Sequence, residues 1–164
     1  MQFLILVIVL VVGCLLYSRT HEELTVKILY HADIDEIVMT DGGNWIDLRA
    51  AEDVTMKAGE SKLISLGISM KLPNGYEAVM LPRSSTFPKY GILMANSQGV
   101  IDNNYSGNVD IWKFSAYATR DTVVKKNERI CQFRLQKIQK NVRFNRVPSL
   151  SEDSRGGFGS TGIN

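Results

Sequence analysis

Leu66-Gly-Ile-Ser-Met-Lys-Leu72 runs straight into Pro73-Asn74-Gly75. Leu66, Ile68, Met70 and Leu72 are apolar, and Gly67, Ser69 and Lys71 are small or polar. A period of two is what a β-strand with one buried face needs, because successive side chains point to opposite sides. The Pro-Asn-Gly that ends it supplies a turn. The same rhythm recurs outward in both directions. Val109 and Ile111 alternate with Asn108, Asp110 and Trp112; Cys131, Phe133 and Leu135 alternate with Gln132 and Arg134; Val142 and Phe144 alternate with Arg143 and Asn145. Turn residues separate the runs at Gly42-Gly43, Gly59, Asn103-Asn104 and Lys126-Asn127. Many short strands with frequent turns predict an all-β sandwich, jelly roll or barrel. One short helix is expected just after Arg83, with Ser84 as its cap and Pro88 inside its first turn.

The chain has 164 residues, enough for one domain with a real core. Its formal net charge of +2 offers no electrostatic case for nucleic-acid binding. Cys14 and Cys131 make no disulfide framework, so a reducing compartment is the default. Residues 1–23 stand apart. Phe3 to Tyr17 reads FLILVIVLVVGCLLY without a charge, somewhat shorter than the roughly 20 apolar residues that span a bilayer comfortably. A secretory signal would need positive charge ahead of the run, and none is there. Two readings remain. One is a membrane anchor, with Arg19 holding the rest of the chain on the cytoplasmic side. The other is a start assigned too early, with the protein beginning near Leu24. Residues 24–148 read as the β-domain. Residues 149–164 are Ser/Gly-rich and predict a mobile tail, in which Phe158 calls for a ligand or a neighbouring subunit to pack on.

The polar clusters carry modest meaning one at a time. Arg83 with Ser84 and Ser85 could hold phosphate oxygens through a guanidinium fork, hydroxyls and helix-start amides. Ser160-Thr161-Gly162 could do the same with hydroxyls and backbone amides. Asp102 lies at the mouth of a hairpin expected over Gly99 to Tyr105. Asp47, inside Trp45-Ile46-Asp47-Leu48, needs an arginine, backbone amides or metal-bound water as partner.

Taken in order, five segments resemble the five motifs of the dUTPase family. NWIDLRAAED (Asn44 to Asp53) is similar to AGxDLxSAED. PRSSTFPKYGI (Pro82 to Ile92) is similar to PRSGLAxKxGI, and NSQGVIDNNYSGNV (Asn96 to Val109) to NxxGxIDxDYRGxV. ERICQFRLQKI (Glu128 to Ile138) resembles xRIAQLxxxxI, and RGGFGSTG (Arg155 to Gly162) resembles the glycine-rich RGxGGFGSTG.

The resemblance implies a homotrimer of jelly-roll-like subunits with shared active sites and dUTP as substrate. Asp102 would be the general base that activates a water to attack the α-phosphorus, with pyrophosphate leaving. Tyr105 would pack under deoxyribose and exclude a 2′-hydroxyl. Asn96, Gly99 and Ile101 would hold and read the uracil. Arg83, Ser84, Ser85 and Gln132 would contact phosphates from another subunit. From the tail, Phe158 would stack on uracil, while Gly159, Ser160, Thr161 and Arg155 would close over the nucleotide. Mg²⁺ would be carried mainly by the phosphates, with Asp47 acting on it only through water.

Several positions depart from the family pattern. Asn104 and Ser106 replace the usual Asp and Arg of the third motif, and Ser85 replaces a Gly. The fifth motif is shortened, so Arg155 falls two residues nearer Phe158 than the family's arginine. Two alternatives accompany the hydrolase. A dCTP deaminase of the same fold would need a pocket Glu, and none occurs between Glu77 and Glu128. A phage or mobile-element protein of this type could also act as a regulatory binding partner.

Overall fold

The computed structural model describes residues 23–150, 153–154 and 156. The apolar run at 3–17 and the tail residues Arg155, Phe158, Gly159, Ser160 and Thr161 lie outside the described residues. Among the described residues no helix is long and apolar enough to cross a membrane.

Eleven strands and one helix make up the described chain. They are β1 (Lys27–Tyr30), β2 (Ile46–Arg49), β3 (Val54–Met56), β4 (Ser61–Ser65), β5 (Ile68–Lys71), β6 (Tyr76–Pro82), α1 (Thr86–Tyr90), β7 (Ile92–Met94), β8 (Gly99–Ile101), β9 (Lys113–Ala118), β10 (Thr122–Val124) and β11 (Arg129–Lys137). Every ladder is antiparallel. The largest sheet has the order β2-β11-β6-β8; a second has β4-β9-β7; β1 pairs β5, and β3 pairs β10. Single backbone bonds stitch the sheets together, among them Leu66 N–H to the Trp112 carbonyl and Trp112 N–H to that of Ile68. The expected all-β architecture is observed.

The inward faces meet in one core. Leu48, Leu66, Ile68, Phe114, Ile130 and Phe133 are buried there, and Trp112 meets Phe133 edge to face at 5.3 Å. Each fully buried side chain of this size contributes about 1.5–3 kcal/mol relative to exposure.

Four local expectations need correction. Around Val109 and Ile111 there is a turn rather than a strand. Asp110 accepts the Gly107 N–H at 2.6 Å, Val109 stands 84% exposed, and pairing starts at Lys113. The run around Val142 and Phe144 forms no ladder, and Phe144 is 92% exposed. Ser69, on the face expected to be solvated, is buried, because His31 Nε2 and the Asn108 carbonyl cover its hydroxyl at 2.9 and 3.5 Å. The helix begins one residue later than expected. Ser85 rather than Ser84 takes the cap position, in a helical backbone conformation and with no side-chain capping bond.

Candidate active site

The residues singled out in the sequence gather into two groups at different places on the large sheet. The first group forms where β2, β11 and β6 run side by side. Gln132 of β11 pairs with Asp47 of β2 on one side and Leu81 of β6 on the other. Its side-chain amide donates to the Pro82 carbonyl at 3.2 Å. β6 ends at Pro82, so Arg83 leaves the sheet beside Asp47. Arg83 Nε donates to Asp47 Oδ1 at 2.8 Å, and Arg129 Nη1 donates to Asp47 Oδ2 at 3.0 Å. Of the partners open to Asp47 on sequence grounds, two arginines are the ones observed. Two cations on one carboxylate leave the corner with surplus positive charge, suited to phosphate. Ser84 and Ser85 lie exposed at the helix start, with the Ser85 hydroxyl 3.5 Å from Arg83 Nη1.

Cys131 lies fully buried behind this corner. Burial, and then the nearby Asp47 charge, push its thiol well above the usual range, against a smaller opposing pull from Arg83. It is a protonated core side chain without nucleophilic character.

The second group surrounds β8. Gly99 pairs with Met80 and Ile101 with Ala78. A Cβ at Gly99 would come within 3.0 Å of both Met80 Cε and Met94 Cε, so a larger residue would have to push these two methionine ends aside. Asp102 follows, exposed, and its carbonyl accepts the Tyr105 N–H at 3.0 Å to close the turn. The expected second hairpin arm carries no ladder. Instead, Tyr105 anchors its hydroxyl on the Ile111 carbonyl at 3.3 Å. Asn96 sits exposed in the preceding turn, its carbonyl accepting from Gln98 N–H at 2.6 Å.

Sequence reasoning passed over three residues that organise these groups. Asn103 was assigned to the turn, yet its amide donates to the carbonyls of Leu72, Pro73 and Tyr76 at 3.3, 2.8 and 3.3 Å, bolting the Asp102 turn to the β5–β6 connection. Thr86 and Arg129 were not assigned a role. Arg129 carries a signal, since it is the arginine of the fourth motif; Asn103 and Thr86 carry none, because Leu72, Pro73, Tyr76 and Ile130, whose carbonyls they reach, lie far away along the chain.

The two groups stand apart within one chain. Pro82, after which Arg83 leaves the sheet, lies four residues along β6 from Ala78, the partner of Ile101, a separation of about 14 Å along the strand. The Arg83 guanidinium also turns towards β2, at the opposite edge of the sheet from β8.

A sequence model of the dUTPase family matches residues 41–162. The chain is similar to the SPbeta prophage-derived deoxyuridine 5′-triphosphate nucleotidohydrolase of Bacillus subtilis, 55% identical over 120 residues that make up 73% of this chain and 84% of the relative. Among solved structures it resembles a dUTPase of Staphylococcus bacteriophage 80alpha with dUPNHPP, at a TM-score of 0.69 and 18% identity over 85% of this chain and 99% of that one. It also resembles a point mutant of the dUTPase of phage phi11 of S. aureus, at a TM-score of 0.67 and 13% identity over 77% of this chain and 98% of that one; a structural Mg(II) ion is described there. The five motifs, the β-sheet frame that carries four of them, the family match and the 55% identity converge: the chain belongs to the dUTPase family.

Proposed function

We propose that this chain hydrolyses dUTP to dUMP and pyrophosphate at sites shared between copies of a homotrimer, which limits uracil incorporation into DNA and supplies dUMP for dTMP synthesis. The observation that carries the reading is the gathering of Arg83, Asp47 and Gln132 at one corner of the sheet, with the Gly99–Tyr105 turn at another. Within one chain the Arg83 fork turns towards β2, at the opposite edge of the sheet from β8 and the turn that follows it. A cradle from one copy and a turn from another would enclose one triphosphate.

In the assembled site Asp102 takes a proton from the attacking water. That role requires reach of about 2.6–3.2 Å to the water. Asn96, Gly99 and Ile101 hold the pyrimidine, and Tyr105 lies under the sugar. The Arg83 fork, the Ser84 and Ser85 hydroxyls and the Gln132 amide bind the phosphates. Residues 24–148 form the catalytic body. Residues 149–164 close over the nucleotide through Phe158, with Arg155, Gly159, Ser160 and Thr161 on the phosphates.

The donor set fits Mg²⁺ carried by the substrate. Both Asp47 oxygens already accept from guanidinium groups, and among the described residues no cluster of three or more His, Cys, Asp or Glu could cage a cation. Such an ion offsets charge on the triphosphate.

Residues 3–17 attach the enzyme to a membrane in this reading, with the catalytic body in the cytoplasm. Liposome flotation of the full chain against one beginning at Leu24 tests that attachment; equal behaviour removes it. The activity is tested by pyrophosphate release from dUTP, dTTP, dCTP and UTP, with and without Mg²⁺. Release from dUTP alone, dependent on Mg²⁺, is expected. Ammonia release from dCTP would replace the reading with deamination.

A further inference from the structure

Ile130 and Cys131 are consecutive residues of β11, and both are fully buried. A regular strand cannot bury two neighbours on one face. The ladder with β2 shows how it happens here. Cys131 pairs with Leu48 and Gln132 with Asp47, but Arg129 pairs with Arg49, with a register shift between Arg129 and Cys131. An unbroken ladder would set Ile130 opposite Arg49. The extra residue turns Ile130 into the core and sets Arg129 in its place, on the face that Asp47 shares with Arg49. Re-aiming a side chain in this way is a recurrent use of β-bulges. The outcome is the 3.0 Å bond from Arg129 Nη1 to Asp47 Oδ2.

One buried hydroxyl holds the bulge. Thr86 is 1% exposed, and its Oγ1 donates to the Ile130 carbonyl at 2.7 Å while accepting the Arg83 N–H at 3.1 Å. The bonds close a ring: Arg83 main chain, Thr86 hydroxyl, Ile130 carbonyl, the neighbouring Arg129, Asp47, and back to Arg83 Nε. Arg83 is therefore fixed at both ends, with its Nη1 3.5 Å from the exposed Ser85 hydroxyl. In the family pattern PRSGLAxKxGI the position of Thr86 is a Leu, which has no hydroxyl to make this link.

We propose that Thr86 is a positioning residue for the phosphate-binding Arg83, acting through the bulge that delivers Arg129 as the second guanidinium on Asp47. This deepens the hydrolase reading and rests on it for the identity of the ligand. Thr86→Val keeps the shape and deletes the hydroxyl; Thr86→Ser keeps the hydroxyl; Arg129→Gln removes the second guanidinium at a half-exposed position that tolerates it.

For each variant, kcat and KM for dUTP are measured, together with the Kd for inorganic tripolyphosphate with Mg²⁺ by calorimetry and the thermal midpoint. Thr86→Val is expected to raise KM and the tripolyphosphate Kd on the order of tenfold, more than it changes kcat. Thr86→Ser returns both to within about twofold of the parent protein. Thr86→Val combined with Arg129→Gln weakens binding by less than the product of the single effects, because both act through one carboxylate.

The inference is overturned if Thr86→Val lowers only the thermal midpoint and leaves the tripolyphosphate Kd unchanged. A serine that fails to restore binding, a fully multiplicative double variant, or a parent protein that binds no tripolyphosphate would also overturn it. A parent protein that binds tripolyphosphate yet releases nothing from dUTP sinks the hydrolase reading alone, since the Kd series still reports on Thr86.

Discussion

Asp102 owes its placement to its neighbour. Its own side chain is exposed, and what keeps the turn in place is the Asn103 amide, spread over three carbonyls of the β5–β6 connection. A carboxylate so placed is rigid in backbone and open in side chain, which suits a group that must meet a water and a phosphate brought in from outside. Asp102→Asn preserves size and hydrogen bonding but removes the basic oxygen. Pyrophosphate release should fall by roughly 10²–10⁴-fold, with nucleotide binding retained. Parallel measurement of turnover and of affinity for a non-hydrolysable dUTP analogue checks this. Undiminished turnover would remove Asp102 from the mechanism.

Among the elements, α1 is the least self-sufficient. A helix of five residues is not stable alone. Tertiary bonds hold it at both ends. At its start Thr86 is tied to Ile130 and Arg83. At its end, Arg120 Nη2 donates to the Pro88 and Lys89 carbonyls at 2.7 and 3.1 Å, satisfying acceptors the helix itself leaves open. Gly91 terminates the helix at φ +65°, its N–H donating to the Phe87 carbonyl at 2.7 Å, and a Cβ there would come within 2.7 Å of Arg120 Cγ. Gly91→Ala therefore meets a left-handed backbone and displaces Arg120. We expect it to destabilise the protein by about 1–3 kcal/mol. Urea denaturation measures the loss, and a variant as stable as the parent would show that Arg120 does not brace the helix. The link from α1 to the proposed phosphate site is direct, because the Arg83-Ser84-Ser85 segment lies between β6 and this helix.

At the scale of the whole molecule, cradle and turn occupy separate corners of one sheet. The separation along β6 is about 14 Å, and the Arg83 fork faces the far edge. The proposed shared sites have a specific consequence for mixed assemblies. Arg83→Ala and Asp102→Asn should each be inactive alone. Unfolded together in equal amounts and refolded, they should recover roughly a quarter of parental activity, because some junctions pair an intact cradle with an intact turn. Activity of the mixture no greater than the sum of the separate variants would mean that each site belongs to a single chain.

The alternating runs at Leu66–Leu72 and Cys131–Leu135 disclosed the β architecture, because the period of a half-buried strand is a local property. The five motifs pointed to the family and to Asp47, Arg83, Asp102 and Gln132 as candidates. The strands expected at Val109–Ile111 and Val142–Phe144 failed for one reason: alternation supplies a sticky face, but a strand also needs a partner edge, and the described chain offers none there. Tertiary structure alone decided that Asp47 takes two arginines, that Ile130 bulges inward, and that Thr86 spans from Arg83 to a carbonyl 44 residues away. Contacts of that reach depend on which strands become neighbours, and no local pattern of residues encodes that.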